Sequence, residues 1–431
     1  MRQLHFNLFI MGCGHHRAAW RHPDSQVERL GDPRYYEELT QIAERGKLDA
    51  IFFADGQSTD NVADGPRWFL EPLTLMSALA RATERIGLIS TVSSTFYTPF
   101  VAARMLCSLD HVSRGRMGWN VVTSMFDVEA RNHGYAAMPD HAWRYARAEE
   151  FVDTALKLFD SWTDDALSLD RQGDYARVDK VRPIHHEGEH FLVDGPLTLP
   201  RSPQGQPVLF QAGASEPGRD LAARKAEAIY AVAYDLPSAQ AYYRDMKRRV
   251  QATGRGVPLP IMPGLVTYVG STMDEARRKQ RELDELLPAQ TSLRQLGTFI
   301  GQDCMDWELD APVPALPPLE SFKGPKGRYA TVLRIIQTEQ PTVRELLGRL
   351  AAGGGHCTMV GTPESIADQI EHWWRSEGAD GFNLMPPSLP NGVRDFVEQV
   401  IPVLQKRGLF RRDYEHTTLR GHLGLERPAS L

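Results

Sequence analysis

Side chains able to bind or transform a small molecule recur in this sequence at short turns that follow apolar runs. His15 and His16, in Gly12-Cys13-Gly14-His15-His16, offer two imidazoles, the side chain that titrates near neutral pH. Asp55 ends the run Phe52-Phe53-Ala54-Asp55 with a carboxylate, and Ser93-Ser94-Thr95 closes another run with three hydroxyls. In Gly115-Arg-Met-Gly-Trp-Asn-Val-Val-Thr-Ser124, Asn120 can orient a heterocycle through its paired donor and acceptor, and Gly118 lets a flat ring or a backbone come close. Thr123 and Ser124 can hydrogen-bond a polar ligand. His141 and Tyr145 stand one helical turn apart. Gln211-Ala-Gly-Ala-Ser215-Glu-Pro-Gly218 carries a strand through small residues into a helix amino terminus. There, free N–H groups, the helix dipole and the Ser215 hydroxyl suit a phosphate.

Each of these groups also has an ordinary reading. Asp55 and Ser215 can simply cap helices, the Ser/Thr cluster can form a turn, and His141 and Tyr145 can share a packed helix face. Gly12-Cys-Gly14 resembles a dinucleotide fingerprint only superficially, because Arg17 stands at its sixth position and no helix opens there. His185-His-Glu-Gly-Glu-His190 has the composition of a metal site. It lacks the His-Glu-x-x-His spacing that puts two imidazoles on one helix face, so it reads as a solvated loop and no metal site is expected. Serine-hydrolase elbows and P-loops are absent.

The elements that must position these groups alternate. Strands are predicted at Leu4–Ile10, Ala50–Ala54, Ile86–Val92, Met117–Val122, Val208–Ala212, Ala228–Ala233, Ile261–Val269 and Gly381–Met385, eight in all, with helices such as Pro33–Arg45, Phe100–Ser113 and Ala142–Trp162 between them. Repeated βα units imply a parallel sheet with right-handed crossovers, and the economical α/β architecture is a (β/α)8 TIM barrel with insertions. In such a barrel the carboxyl ends of the strands, and the polar groups that follow them, face one mouth. Residues 1–431 read as a single domain. An irregular or hairpin insertion is expected at Asp179–Leu199, and a Pro/Gly-rich one at about 270–330 could serve as a lid over the active site.

A chain of 431 residues can bury a sizeable core, and its formal charge of −6 disfavours nucleic acid or an anionic membrane surface as the main partner. Four widely spaced cysteines indicate reduced thiols, and no apolar run approaches the roughly 20 residues of a bilayer span. A cytoplasmic protein is the expectation.

Taken in order, His15-His-Arg-Ala-Ala-Trp-Arg-His22, Phe52-Phe-Ala-Asp55, the hydroxyls to Thr95, Ser113–Ser124, His141-x-x-x-Tyr145-x-x-Ala-Glu-Glu150, Gln211–Ser215, Val360-Gly-Thr-Pro-Glu364, Gly381–Met385 and Leu404–Phe410 resemble a known family. It is the flavin-dependent monooxygenases of the bacterial luciferase-like superfamily, in the group with nitrilotriacetate, EDTA, dibenzothiophene-sulfone and dimethyl-sulfide monooxygenases. The resemblance implies a barrel that binds reduced FMN (FMNH2) made by a separate NAD(P)H:flavin reductase, uses O2 to oxygenate a small organic substrate, and forms a homodimer. It further implies that Asp55, Ser94 or Thr95, Asn120, His141, Tyr145 and Ser215 contact FMN, with Tyr145 and Ser215 on its phosphate. His15 or His16 would then assist the oxygen chemistry by hydrogen bonding or as acid/base. Substrate selection falls to the loops Gln57–Trp68 and Thr291–Lys326, where Arg67, Trp68, Phe299 and Trp307 are candidates. Two rivals remain: a hydride-transferring dehydrogenase using flavin or a deazaflavin, and a flavin-binding chain without catalysis.

Overall fold

Strands β1 (His5–Phe9), β2 (Ala50–Phe53), β3 (Gly87–Ser93) and β4 (Met117–Val122) pair in parallel, each with the next. A small antiparallel hairpin, β5 (His186–Glu187) and β6 (Leu192–Val193), lies apart from them. The main sheet continues through β7 (Val208–Gln211), β8 (Ala228–Ala231) and β9 (Ile261–Val269), and β11 (Gly381–Leu384) joins β9 back to β1. The result is a closed eight-stranded parallel barrel with helices around it, the (β/α)8 fold the alternation predicts. The computed structural model describes residues 3–59, 62–66, 70–256, 258–322 and 326–430.

The sheet has a ninth strand that sequence reasoning missed, β10 (Cys357–Gly361). β9 is nine residues long. Its first part pairs with β8 on one side, and past the end of β8 its Leu265–Val269 stretch pairs with β10 instead. β10 therefore extends the wall beyond the barrel proper without entering its circle. Its five residues, one position past Gly353-Gly354-Gly355, read locally as loop, and only the tertiary pairing with an over-long neighbour makes them a strand.

Strands buried on both faces carry two cores, which is why they read as nearly continuous apolar runs. Phe6, Leu8, Ile51, Leu88 and Trp119 point outward to the helices. Phe9, Phe52, Ile89, Phe210 and Met262 fill the barrel interior. At the amino-terminal end of the strands the interior is closed by the carboxyl-terminal segment, whose Leu419, Leu423 and Leu425 belong to the same inner core. Buried polar groups hold that segment down: Arg411 pairs with the fully buried Asp49, and Arg420 grips Glu227 through two bonds of 2.5 and 3.0 Å.

Between β9 and β10 the chain forms helices Met273–Glu285, Ala289–Ile300, Lys326–Glu339 and Val343–Gly353. Leu293, Leu296, Ile300, Val332, Ile335, Leu346 and others give this insertion its own apolar core. It runs on past residue 330 to the start of β10.

Candidate active site

The carboxyl ends of β3 and β4 are tied together before any ligand is considered. Ser94 Oγ donates to Val122 O (3.1 Å), Thr95 Oγ1 donates to Thr123 O (2.8 Å), and the hydroxyls of Ser93 and Ser124 share a 2.8 Å bond. The protons of Ser94 and Thr95 are thus engaged internally, and each can meet a ligand only as an acceptor. Arg144 braces the same turn from helix His141–Phe159. Its guanidinium reaches Ser124 O and donates to Pro139 O at 3.0 Å. Among the described residues its hydrogen-bond partners are oxygens of carbonyls and a hydroxyl, with no carboxylate bonded to it, and desolvation lowers its pKa against the opposing pull of Tyr145 and Asp140.

Asn120 shares the inward face of β4 with Gly118 and is buried. Its Nδ2 donates to Thr91 Oγ1 (3.0 Å), while Oδ1 has no hydrogen-bond partner among the described residues. A buried acceptor in that state costs about 1–3 kcal/mol unless something donates to it. The edge of an N–H-bearing heterocycle is a suitable donor.

Tyr145 and Ser215 are brought together. Ser215 caps helix Glu216–Lys225, accepting from Gly218 N (3.3 Å) and donating to Tyr145 Oη (3.1 Å), which leaves the phenolic proton for another acceptor. Gly218 keeps this corner open: a Cβ there would crowd both Tyr145 Oη and Gly213 Cα, each at 3.0 Å. A helix amino terminus, a hydroxyl and a phenol converging in this way fit a phosphate. His141 is exposed at the first helical position and packs on Tyr145, ring centroids 4.8 Å apart.

The two histidines of the first loop separate. His15 lies over the barrel interior with its ring edge-on to Phe9 (4.5 Å), and its Nε2–H donates to Phe9 O (3.1 Å), leaving Nδ1 as acceptor. Burial pushes its pKa down to about 4, so it is a neutral hydrogen-bonding group near pH 7 rather than an acid. His16 accepts from Ala18 N at Nδ1 (3.1 Å) and donates through Nε2 to Asp284 of the insertion (3.1 Å). With both nitrogens engaged, His16 serves as a fastener between loop and insertion, whereas His15 keeps one nitrogen open. Asp55 stands at the end of β2, half-buried, accepting from Gln57 Nε2 (3.1 Å). Desolvation, with Glu71 and Glu129 nearby, raises its pKa.

Of the expected pocket residues, Phe299 lies under Arg17 of the first loop (5.9 Å) and Trp307 packs on the insertion's own core. Arg67 and Trp68 lie outside the described residues. The histidine-rich stretch forms the β5–β6 hairpin, fastened by Glu150, which accepts from His186 Nε2 (3.0 Å), His190 N (3.0 Å) and Phe191 N (2.9 Å). No metal-binding group of His, Cys, Asp and Glu occurs among the described residues, and no helix there is long and apolar enough to cross a membrane. The residue whose role sequence reasoning missed is Arg144. Its place beside Tyr145 was visible, but a cation held by carbonyl oxygens has no signature in the sequence.

Residues 8–381 match the family described as Luciferase-like monooxygenase. Component A of nitrilotriacetate monooxygenase from Aminobacter aminovorans is 42% identical, over 99% of this chain and 97% of its own length. N-acetyl-S-(2-succino)cysteine monooxygenase from Bacillus subtilis is also 42% identical, over 100% and 98%. The crystal structure of a riboflavin lyase with a modified FMN and riboflavin superposes with a TM-score of 0.84 at 32% identity, covering 99% of this chain and 97% of that one. The convergence at Ser215, the half-satisfied Asn120 and the strand-end polar groups thus sit in a chain that is similar to these enzymes from end to end, and the protein belongs to the luciferase-like monooxygenase family.

Proposed function

We propose that the chain is the oxygenase of a two-component system: it takes FMNH2 from a separate NAD(P)H:flavin reductase and uses O2 to oxygenate a small organic substrate at a C–N, C–S or related bond. The observation that carries this is the convergence of Ser215, Tyr145 and the helix amino terminus, three groups that suit a phosphate. The unpartnered Asn120 Oδ1 supports it from the ring end. Tyr145 and Ser215 hold the phosphate, Asn120 and Asp55 face the ring or ribityl chain, Ser94 and Thr95 accept from it, and His141 flanks Tyr145. Bound reduced flavin supplies the activation of O2. The protein's part is orientation, a dry pocket roofed by the insertion acting as a lid, and a neutral His15 that hydrogen-bonds at the reacting face.

The names of the two 42%-identical relatives specify substrates in which carboxylate arms surround one nitrogen or one sulfur. Compounds of that kind are the first to screen here. The same reading makes the chain a cytoplasmic homodimer. The test is to mix the protein anaerobically with photoreduced FMN, admit air, and follow flavin reoxidation and H2O2. Reoxidation slower than that of free FMNH2, with less H2O2 when substrate is present, is expected. Reoxidation at the free rate with and without the screened compounds would refute the reading. Consumption of a reduced nicotinamide or deazaflavin without any reductase would replace it with hydride transfer.

A further inference from the structure

The insertion returns to the barrel through Gly353-Gly354-Gly355, and the next residue, His356, turns inward. Its ring stacks on that of Tyr230 at 5.5 Å and 2°, and its Nε2 lies 3.3 Å from Tyr230 Oη, which also reaches Met385 Sδ at 3.2 Å. The space it fills exists because residue 264 is glycine. A Cβ on Gly264 would stand 2.3 Å from His356 Nδ1 and 2.6 Å from Met385 Sδ. Tyr230 in turn packs on Phe9 (5.6 Å, 86°) and Phe52 (5.6 Å, 53°), and Phe9 carries the ring of His15. One continuous set of ring contacts therefore runs from the end of the insertion to the imidazole at the mouth. The first loop is fastened to the same insertion from the other side, by His16 to Asp284 and by Arg17 N to Ala351 O (3.1 Å).

We infer that His356 is a positioning residue: it anchors the insertion in the barrel interior and, through Tyr230 and Phe9, holds His15 in place, so that a docked insertion and an ordered His15 are one state. Close-packed rings have few alternative arrangements, which is what lets a shift at one end be felt at the other. The inference rests on reading this mouth as the flavin site only for its catalytic meaning. The coupling itself is a property of the chain alone.

The test uses the full-length protein without flavin, in the variants Gly264→Ala, His356→Ala, His356→Gln and Tyr230→Phe, each first shown to unfold cooperatively. Two rates are read: tryptic cleavage within residues 270–356, and modification of His15 by diethyl pyrocarbonate followed by mass spectrometry. His356→Ala and Gly264→Ala are expected to raise both by about fivefold or more, the factor by which one lost buried hydrogen bond shifts a local opening. His356→Gln, which keeps a donor and an acceptor, recovers most of the protection, and Tyr230→Phe falls between. If Gly264→Ala does not fold, the His356 pair decides. Cleavage at the wild-type rate in folded His356→Ala overturns the inference. So does faster cleavage with His15 no more reactive, because the insertion would then be loosened without moving the mouth. A wild-type protein that ignores FMNH2 defeats the flavin reading and leaves both rates to be judged as they stand.

Discussion

Replacing Ser215 by Ala separates a phosphate site from an ordinary helix cap. The hydroxyl makes two bonds, accepting from Gly218 N at 3.3 Å and donating to Tyr145 Oη at 3.1 Å. As a cap alone it is worth about 1 kcal/mol of stability, a loss that lowers Tm by at most a few degrees in a chain of this size. As a ligand to a phosphate it turns its proton from Tyr145 Oη to the anion, beside the phenolic proton of Tyr145, and that hydrogen bond to a charged group is worth about 1.5–3 kcal/mol, or roughly 10- to 100-fold in Kd. The same removal also frees Tyr145 to turn, so Tyr145→Phe should weaken binding by a similar factor and the double variant by less than the product of the two. The assay is anaerobic titration with photoreduced FMN and, in parallel, with photoreduced riboflavin, which presents the same ring without the phosphate. Ser215→Ala is expected to weaken FMN within that range and to change riboflavin by no more than about twofold, since none of the ring contacts is touched. Equal weakening of both flavins would mean that the helix end had collapsed. No weakening of either would mean that the cradle holds no phosphate, and the reasoning from Ser215, Tyr145 and Gly218 would fail.

Two further outcomes follow from the far end of the barrel. His422 donates from Nε2 to Arg85 O (2.7 Å), and burial pushes its pKa from 6.5 down to about 4. Its neutral form is favoured by folding, so the stability it protects is complete above pH 6.5 and is lost towards pH 4 at up to about 1.4 kcal/mol per unit. Urea midpoints of His422→Gln should fall less steeply than wild type across that window, and parallel slopes would exclude His422 as a source. Leu419→Ala removes a fully buried side chain that plugs the barrel floor. It should cost about 2–5 kcal/mol in urea unfolding while leaving FMNH2 affinity at the other mouth unchanged. A loss under about 1 kcal/mol would show that the plug is not seated in solution.

The barrel was legible because its strands are buried on both faces and its helices are amphipathic, so the switch in period marks each element without reference to its neighbours. β10 was not legible for the opposite reason. Nothing in Cys357-Thr-Met-Val-Gly361 asks to be a strand until Leu265–Val269 offers an edge that β8 is too short to cover. The same limit applied at the site. Ser215 and Asn120 could be picked from their types and places, because a cap before a helix and an amide on an inward strand position are local facts. Which of His15 and His16 faces the mouth depends on Asp284, distant in sequence by 268 residues, and no local pattern carries that.

The polar groups of the mouth divide by what the protein has already done with them. Ser94, Thr95 and His16 have their protons committed to carbonyls or to Asp284, and Arg144 ties Pro139 and Ser124 together, so the frame is stiff. Asn120 keeps an unmet acceptor, Tyr145 an undirected phenolic proton, and His15 a free Nδ1. Read as a mould, the second set asks for a molecule with an N–H edge toward β4 and an anionic group toward the helix at Ser215. A flavin mononucleotide has an N–H edge at one end and a phosphate at the other. Riboflavin offers only the first, which is why the comparison of the two flavins is the measurement on which the reading of this mouth turns.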